Sequence, residues 1–268
     1  MQVRAKKRFG QNFLRDQGVV DKILVAAGLT AQDRVLEIGP GLGALTDRLL
    51  AAAAEVTVME IDRDLIAGLE ARREPRLRIL EGDCIELDWP DLLPSPPYKL
   101  VANLPYNISS QVLFKVLDHR ELFARLVLMF QKEVGERLIA RAGTSAYGIL
   151  SVFCQRVFDI RRVANVPPGA FYPAPKVHSV VLEFAPLARP RVDVADDALF
   201  RRVVKGAFGQ RRKTLRNALA GAGFTAEAID AALERCAIDP RRRGETLDLA
   251  EFAALSNTFG EVAAAAGD

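Results

Sequence analysis

The sequence has few of the residues that form disulfides or bind metals. It contains three cysteines, Cys84, Cys154 and Cys236, which lie far apart and show no C-x-x-C spacing. Its only histidines are His119 and His178. A disulfide framework and a zinc site are therefore both excluded by the spacing and number of possible ligands, and we expect no bound metal.

Long apolar runs are also missing. No uninterrupted hydrophobic stretch reaches the roughly 20 residues that a membrane-spanning helix needs. The basic stretch Met1–Arg8 is not followed by an apolar segment, so it is not expected to be a secretory signal. Half of the 268 residues are hydrophobic, which suffices for a buried core, and this length favours one large and one small domain. We expect a cytoplasmic monomer without a membrane partner.

The net charge of +3 is small, but the basic residues are clustered. Residues 1–15 carry five basic side chains before the first acidic residue, Asp16. Residues 201–216 carry seven basic residues and no acidic one, and Arg241–Arg243 form a third cluster. Such clusters in a nearly balanced chain indicate a surface for a polyanion, although solvated helix faces are the alternative explanation.

Strand-like and helix-like segments alternate in the first half of the chain. Five apolar runs predict strands, at Arg34–Gly39, Val56–Ile61, Leu77–Leu80, Leu100–Ala102 and Leu126–Phe130. Strands that alternate with helices are typical of a parallel, doubly wound sheet. The sequence therefore predicts an α/β fold.

The second half of the chain shows a different order of predicted strands and helices. Ile160–Val166 and Val177–Phe184 are two strand-like runs joined by the proline-rich link Pro167–Pro175. Because this link has no helical pattern, we predict that the two strands are antiparallel neighbours at one edge of the sheet. Residues 197–260 show only helical periodicity. We therefore predict domains at residues 1–188 and 189–268.

A glycine-rich loop, Glu37–Gly43, follows the first predicted strand of the sheet and precedes a helix. Glycines let a ligand approach the backbone closely, and a helix N-terminus favours negative charge. Gly39, Gly41 and Ala44 also satisfy the dinucleotide fingerprint. Glu60 ends the next strand, where a carboxylate can accept hydrogen bonds from ribose hydroxyls. This arrangement fits NAD and S-adenosylmethionine equally well.

Two further residues favour S-adenosylmethionine. Asp83 follows the third strand and can accept a hydrogen bond from an adenine amino group, and Asn103 ends the fourth strand at the same edge of the sheet. A nicotinamide enzyme would also need a partner for hydride transfer, and no histidine lies in a suitable loop. We therefore predict a methyl donor rather than NAD.

The turn Asn103–Tyr106 predicts the acceptor site. Pro105 cannot donate a backbone hydrogen bond and holds Leu104 out of the helical region, while Ser109 is placed to cap a following helix. The Asn103 side-chain oxygen and the Leu104 carbonyl can accept the two hydrogens of an exocyclic adenine amine, which turns its lone pair toward the methyl group. Tyr106 can stack on a base that has left its helix or loop, with Phe171 or Tyr172 on the other face.

Five motifs in this order closely resemble one enzyme family: Lys7–Leu14 (KRFGQNFL), Val35–Gly43 (VLEIGPGLG), Asn103–Ser109 (NLPYNIS), Phe171–Val177 (FYPAPKV) and Phe208–Leu219 (FGQRRKTLRNAL). The family is that of the bacterial 16S rRNA adenine N6,N6-dimethyltransferases (KsgA/RsmA), and the resemblance covers about residues 4–260. It implies a Rossmann-like class I methyltransferase fold with a mostly parallel seven-stranded sheet and a small all-helical C-terminal domain.

The resemblance also implies a substrate and a set of site residues. The implied reaction is dimethylation of two adjacent adenosines in a hairpin loop near the 3′ end of 16S rRNA, within the small ribosomal subunit or its precursor, with a role in subunit biogenesis. Carried over onto this sequence, the donor-binding positions are Asn12, Leu14, Gly39, Gly41, Glu60, Asp83 and Asn103. Asn12 and Leu14 are known only from the resemblance. The expected catalytic positions are Asn103, Leu104, Tyr106 and Phe171.

For the helical domain we predict rRNA docking. Arg201, Lys205, Arg212 and Arg216 recur near helical spacing and suit a phosphate-facing surface, to which we add Arg211 and Lys213. Two other functions remain as alternatives. One is a 23S rRNA adenine methyltransferase, which usually has Ser-Gln-Asn-Phe and Asn-Ile-Pro-Tyr/Phe where this chain has Gly10-Gln-Asn-Phe and Asn103-Leu-Pro-Tyr. The other is a non-catalytic RNA-binding assembly factor on the same fold.

Overall fold

The fold is that of a computed structural model, which describes residue 6 and residues 9–266. Arg4, Lys7 and Arg8, which belong to the predicted basic arm and the first family motif, lie outside these residues. The strands are β1 (Phe13–Leu14), β2 (Arg34–Ile38), β3 (Glu55–Glu60), β4 (Leu77–Glu81), β5 (Tyr98–Asn103), β6 (Phe123–Gln131), β7 (Phe158–Val166), β8 (Phe171–Tyr172) and β9 (Ser179–Pro186).

The α-helices are α1 (Gln17–Ala27), α2 (Thr46–Ala52), α3 (Arg63–Glu70), α4 (Trp89–Leu92), α5 (Ser109–Asp118), α6 (Lys132–Leu138), α7 (Ile149–Val157), α8 (Asp197–Gly209), α9 (Leu215–Gly221), α10 (Ala226–Arg235) and α11 (Leu249–Ala266). Within the described part of the chain, none of these helices combines the length and the apolar character that crossing a bilayer requires.

Seven strands form one sheet in the order β4-β3-β2-β5-β6-β9-β7. The pairs β3–β4, β2–β3, β2–β5 and β5–β6 are parallel, and β9 joins β6 in the antiparallel sense. β7 and β9 are neighbours at one edge, on either side of the proline-rich link. The predicted α/β fold with a mostly parallel seven-stranded sheet is thus confirmed.

Helix α1 illustrates how the local sequence builds this layer. The Asp16 carboxylate accepts a hydrogen bond from the Val19 N–H at 3.1 Å and so caps the first turn. Gly28 ends the helix in the left-handed conformation, with φ = 54°. Between the caps, Val20 and Ile23 are fully buried in the core that also contains strands β2 and β3. The helical spacing of its apolar residues thus gives this helix one buried face.

One strand pair was not predicted. Phe13 pairs with Tyr172 and Leu14 pairs with Phe171, so β1 and β8 form a two-stranded antiparallel sheet. The Arg15 N–H extends this ladder by donating to the Ala170 carbonyl at 2.8 Å. Two-residue strands carry no detectable period, and their pairing joins segments more than 150 residues apart, so neither segment could be identified as a strand from its own sequence.

The chain divides into two compact units, at boundaries that differ from the prediction. Of the described residues, those up to residue 135 and residues 159–186 form the unit that contains the sheet, and residues 136–158 and those from residue 187 onward form the helical unit. The predicted boundary at residue 188 lies close to the start of the second helical segment, Leu187. Glu136–Phe158, which the prediction places in the sheet domain because of contiguity along the chain, group by tertiary contacts with the helical unit.

Contacts of helix α7 explain why this segment groups with the helical unit. Its Phe153 ring lies 6.1 Å from the Phe200 ring of α8, and the Arg156 guanidinium lies 5.0 Å from the same Phe200 ring. Arg156 also forms an ion pair with Asp197 at 2.7 Å. Aromatic burial and an ion pair therefore join α7 to α8 within the helical unit.

Candidate active site

The glycine-rich loop forms the floor of a cavity at the carboxyl edge of the sheet. After β2 the chain turns through Gly39, Gly41 and Gly43, which have φ values of 67°, 60° and 89°. Side chains larger than hydrogen are strained in this left-handed region. A Cβ atom on Gly41 would also lie 3.0 Å from the Phe13 ring. The loop therefore exposes its backbone to the cavity because glycine occupies these positions.

Glu60 lies at the end of β3 with its carboxylate held in place. Its Oε1 atom accepts hydrogen bonds from the N–H groups of Ile61 and Asp62, both at 2.9 Å. Burial raises the pKa of this carboxyl, while the two N–H donors act in the opposite direction. These bonds fix the orientation of the carboxylate at the cavity, which Glu60 lines.

Asp83, which follows β4, and Asn103, which ends β5, add two polar groups at the same edge of the sheet. Asp83 Oδ1 accepts a hydrogen bond from the Ile85 N–H at 2.9 Å, which orients its carboxylate. Asn103, the last residue of β5, donates from Nδ2 to the Asn12 carbonyl at 3.1 Å. These positions follow from the parallel strands, whose carboxyl ends share one edge of the sheet.

The bond between Asn103 and Asn12 links two motifs that are 91 residues apart. Because the amide nitrogen is used in this bond, the orientation of the carboxamide is fixed and its oxygen is the group left to accept an external hydrogen. The Asn12 side chain donates to the Gly10 carbonyl at 3.1 Å, which shapes the N-terminal segment around the same point.

Tyr106 is held by its hydroxyl group. Its oxygen lies 2.6 Å from Ser179 Oγ on β9, and burial raises the pKa of the phenol. Ser109 has a different role from the predicted one. It is the first residue of α5 rather than its cap, and its hydroxyl donates to the Tyr106 carbonyl at 3.2 Å. The turn is thus braced from within by Ser109 and from the neighbouring strand by Ser179.

These groups surround a single cavity of about 310 Å³. All predicted donor-binding and catalytic residues except Phe171 line it, namely Asn12, Leu14, Gly39, Gly41, Glu60, Asp83, Asn103, Leu104 and Tyr106. A volume of this size is typical of small-molecule sites. The lining combines apolar side chains with a few polar groups, which is typical of a site for one small molecule.

Phe171 does not line this cavity. It pairs with Leu14 in the β1–β8 ladder and is only 4% exposed, because its ring is part of the apolar core. Its neighbour Tyr172 is 57% exposed and lies outside the cavity lining. In the described structure, therefore, neither aromatic residue of the proline-rich link faces Tyr106 across the cavity.

Two polar groups in this region are not among the predicted site residues. The first is Glu37, a cavity-lining carboxyl on β2 that is only 1% exposed. Thr46 Oγ1 donates to its Oε2 at 2.7 Å, and burial raises the pKa of Glu37 to about 8. A carboxylate inside the apolar run Val35–Ile38 was the signal that could have identified it, since unpaired buried charges are costly.

The second group is a polar latch formed by Lys6, Gln11 and Asp62. The Asp62 side chain is 1% exposed, and it accepts from Lys6 Nζ at 2.6 Å and from Gln11 Nε2 at 2.8 Å. These bonds hold the pKa of Asp62 below its usual range, although burial opposes them. The latch fastens the N-terminal segment to the end of β3, beside Glu60. No local pattern links Asp62 to Lys6 and Gln11, because Asp62 lies more than 50 positions from both.

The predicted basic stripe on residues 201–216 is not continuous. Helix α8 ends at Gly209, and α9 begins only after Thr214, whose hydroxyl accepts from the Asn217 N–H. The helical spacing proposed for Arg201, Lys205, Arg212 and Arg216 therefore does not hold beyond Gly209. Within the helical unit, Arg201 and Lys205 lie on α8 and line a shallow groove between α8 and α9.

The other basic residues of this run have different environments. Arg216 forms a two-bond ion pair with Asp230 at 2.6 and 2.7 Å, and Arg211 donates to the Tyr147 carbonyl at 3.2 Å. Arg212 and Lys213 are exposed in the turn between α8 and α9, and within residues 9–266 neither side chain has an ion-pair partner. These two residues are therefore the most available of the predicted RNA contacts.

Comparison with known proteins agrees with this geometry. Residues 2–259 match the ribosomal RNA adenine dimethylase family. The chain is 65% identical to ribosomal RNA small subunit methyltransferase A of Syntrophotalea carbinolica, over 96% of this chain and 97% of that protein. It is 53% identical to the protein of the same name in Geobacter metallireducens, over 96% of both chains.

Solved structures show the same fold. A dimethyladenosine transferase from Plasmodium falciparum aligns with a TM-score of 0.79 and 30% identity, over 93% of this chain and 98% of that one. The 23S rRNA methyltransferase ErmE aligns with a TM-score of 0.69 at 24% identity, over 93% of this chain and all of that one, a likeness that concerns the fold alone. The cavity at the carboxyl edge of the sheet and these matches lead to one conclusion: the chain belongs to the ribosomal RNA adenine dimethylase family.

Proposed function

We propose that this protein uses S-adenosylmethionine to dimethylate N6 of adenine in small-subunit ribosomal RNA. The specific targets in this proposal are the two adjacent adenosines in the hairpin loop near the 3′ end of 16S rRNA, in the subunit or its precursor in the cytoplasm. The observation that carries the proposal is the hydrogen bond from Asn103 Nδ2 to the Asn12 carbonyl. It leaves an uncharged oxygen acceptor beside a cavity suited to the donor.

The residues that line the cavity fit S-adenosylmethionine. The Glu60 carboxylate can accept from ribose hydroxyls, and Asp83 can accept from the adenine amino group, as carboxylates do in dinucleotide-binding folds. The backbone of Gly39 and Gly41 permits close approach of the ligand, and Asn12 and Leu14 also line the cavity. When bound, the donor supplies an electrophilic methyl group attached to a positively charged sulfur.

The acceptor side orients an amine rather than deprotonating it. An adenine amine is a weak nucleophile because its lone pair is delocalised into the ring. The Asn103 oxygen and the Leu104 carbonyl can each accept one hydrogen of the unmodified amine, which directs the lone pair toward the donor. As the nitrogen–methyl bond forms, the methyl–sulfur bond breaks, and the resulting ammonium loses a proton to solvent. In the second transfer one hydrogen remains on the amine, and one of these two oxygens can accept it. Tyr106, whose hydroxyl is held by Ser179, offers a ring of fixed orientation for stacking the base.

Phe171 has a smaller part in this proposal than the sequence predicted. Since its ring is in the core, a stacking role would require the β1–β8 ladder to move. Tyr106 is therefore the aromatic residue that we assign to the target base. For docking of the rRNA we assign Arg212 and Lys213 first, with Arg201, Lys205 and Arg211 in support.

The decisive experiment uses purified ribosomal subunits that lack the modification. Small and large subunits are incubated separately with the protein and methyl-labelled S-adenosylmethionine, and the labelled nucleosides are mapped by nuclease digestion and mass spectrometry. We expect dimethyladenosine in small-subunit RNA only. Label in large-subunit RNA would favour the 23S alternative, and binding to small subunits without label would favour an assembly factor. Either result would contradict the proposal.

A further inference from the structure

An exposed aromatic ring and an exposed guanidinium lie stacked at the β1–β8 ladder. Tyr172 has 57% of its surface accessible, and Arg15 Cζ lies 4.1 Å from the centre of its ring. Neither side chain is needed for the core, which in this ladder is supplied by Leu14 and Phe171. A single exposed aromatic residue is ordinary, but a planar cation held over it forms a preorganised surface.

The ladder determines where this surface lies. Tyr172 is the direct partner of Phe13, and facing Cα atoms in an antiparallel pair are about 4.5–5.5 Å apart. Phe13 lines the donor cavity, with its ring against the Gly41 backbone. The Tyr172–Arg15 surface is therefore adjacent to the cavity wall.

The Tyr172–Arg15 surface is separate from the site that we propose for the target base. The amine acceptors Asn103 and Leu104 and the ring of Tyr106 all line the cavity, whereas Tyr172 lies outside its lining. Arg15 already covers part of the Tyr172 ring. A base on this surface would thus lie beside the cavity while another base occupies it.

The chemistry fits single-stranded RNA. Proteins read unpaired loops by stacking bases on aromatic rings and on guanidinium planes, and a guanidinium can also contact the phosphate. We propose that Tyr172 and Arg15 form a stacking platform for a base that flanks the target adenine in the RNA loop. This inference rests on the proposed function, since it assumes that the cavity receives an adenine from RNA.

The experiment compares variants of Tyr172 with a control at Val177, which lies just beyond the proline-rich link. For Tyr172→Ala we expect KM for small subunits to rise about tenfold, a loss of about 1.4 kcal/mol, with kcat and the Kd for S-adenosylmethionine unchanged. Tyr172→Phe and Tyr172→Trp preserve stacking and should stay within about twofold of the wild type. Val177→Ala removes another exposed apolar side chain, 43% accessible, and should have no effect.

A binding readout that does not depend on turnover completes the test. A single-stranded loop oligonucleotide carries 2-aminopurine next to the target adenine, and stacking should quench its fluorescence with the wild type and Tyr172→Phe but not with Tyr172→Ala. An unchanged KM in Tyr172→Ala, or equal quenching by both Tyr172→Ala and the wild type, would overturn the platform. If the wild-type protein methylates no rRNA, the proposed function fails on its own, and the quenching comparison still decides the platform.

Discussion

The donor cavity and the basic run at residues 201–216 are both rich in polar side chains, yet they are built on opposite principles. In the cavity, Glu37 and Glu60 are buried and Asn103 is partly buried, and each is tied to a named partner. In the basic run, Arg212 and Lys213 project from an exposed turn. The cavity therefore presents polar groups of fixed orientation, whereas the basic run presents exposed positive charge.

This difference predicts how each region responds to change. Removing a partner from a buried hydrogen bond leaves an unsatisfied group and disturbs its neighbours, so single substitutions in the cavity should have large effects. Exposed charges act additively and are screened by salt, so substitutions in the basic run should be mild and dependent on ionic strength. Four experiments test this contrast.

The largest effect should come from Asn103→Ala. Loss of the oxygen acceptor should lower kcat at least about 100-fold, the size expected for removing one oriented polar group from a transition state. Thermal unfolding and circular dichroism should remain close to wild type. Asn103→Asp keeps an oxygen acceptor but loses the donor to Asn12, and it should retain more activity than the alanine variant. Near-normal turnover by Asn103→Ala would refute the assigned role.

The second effect concerns Glu37 and pH. Its pKa is about 8 in the folded protein and near 4.5 when unfolded, so the folded state binds the extra proton. The stability contribution is therefore full below pH 4.5 and declines as pH rises toward 8, by about 1.4 kcal/mol per pH unit. The charged groups that influence it are Asp47, Arg72 and Glu60.

The measurement is urea unfolding of the wild type and Glu37→Gln at pH 6 and pH 8. Glutamine can still accept the Thr46 hydrogen bond but does not titrate. Between these two pH values the wild type should lose about 2 kcal/mol more of its unfolding free energy than the variant. Parallel changes in the two proteins would show that Glu37 does not retain its proton.

The third effect is on binding of RNA. Replacing Arg212 and Lys213 together with alanine should weaken small-subunit binding about tenfold at low salt and reduce the slope of log K against log salt by up to about 2. Binding of S-adenosylmethionine should not change. Adding Arg211→Ala should also lower stability, because its guanidinium donates to the Tyr147 carbonyl. If subunit binding of the double variant is unchanged, this turn does not dock RNA.

The smallest effect should come from Arg216→Ala, which serves as a matched control within the same run. Arg216 is already paired with Asp230, and exposed ion pairs contribute little to stability. We expect less than about twofold weakening of subunit binding and a small change in melting temperature. A loss equal to that of Arg212 and Lys213 would show that the run acts as a uniform basic surface after all.

The sequence alone determined the elements with strong local signals. Apolar runs identified all seven strands of the main sheet, and glycines at Gly39 and Gly41 marked the loop, because backbone preference and side-chain period are properties of a short segment. Parallel strands share a carboxyl edge, so Glu60, Asp83 and Asn103 could be placed together before the structure was known. The order of the motifs was enough to indicate the family.

The tertiary structure alone decided how distant segments meet. It joined Asn103 to Asn12, fastened Lys6 and Gln11 to Asp62, placed Phe171 in the core and moved Glu136–Phe158 into the helical unit. It also divided the basic run between two helices and a turn. Each of these outcomes depends on burial and pairing between segments that are remote in sequence, and such contacts leave no periodic trace in either segment.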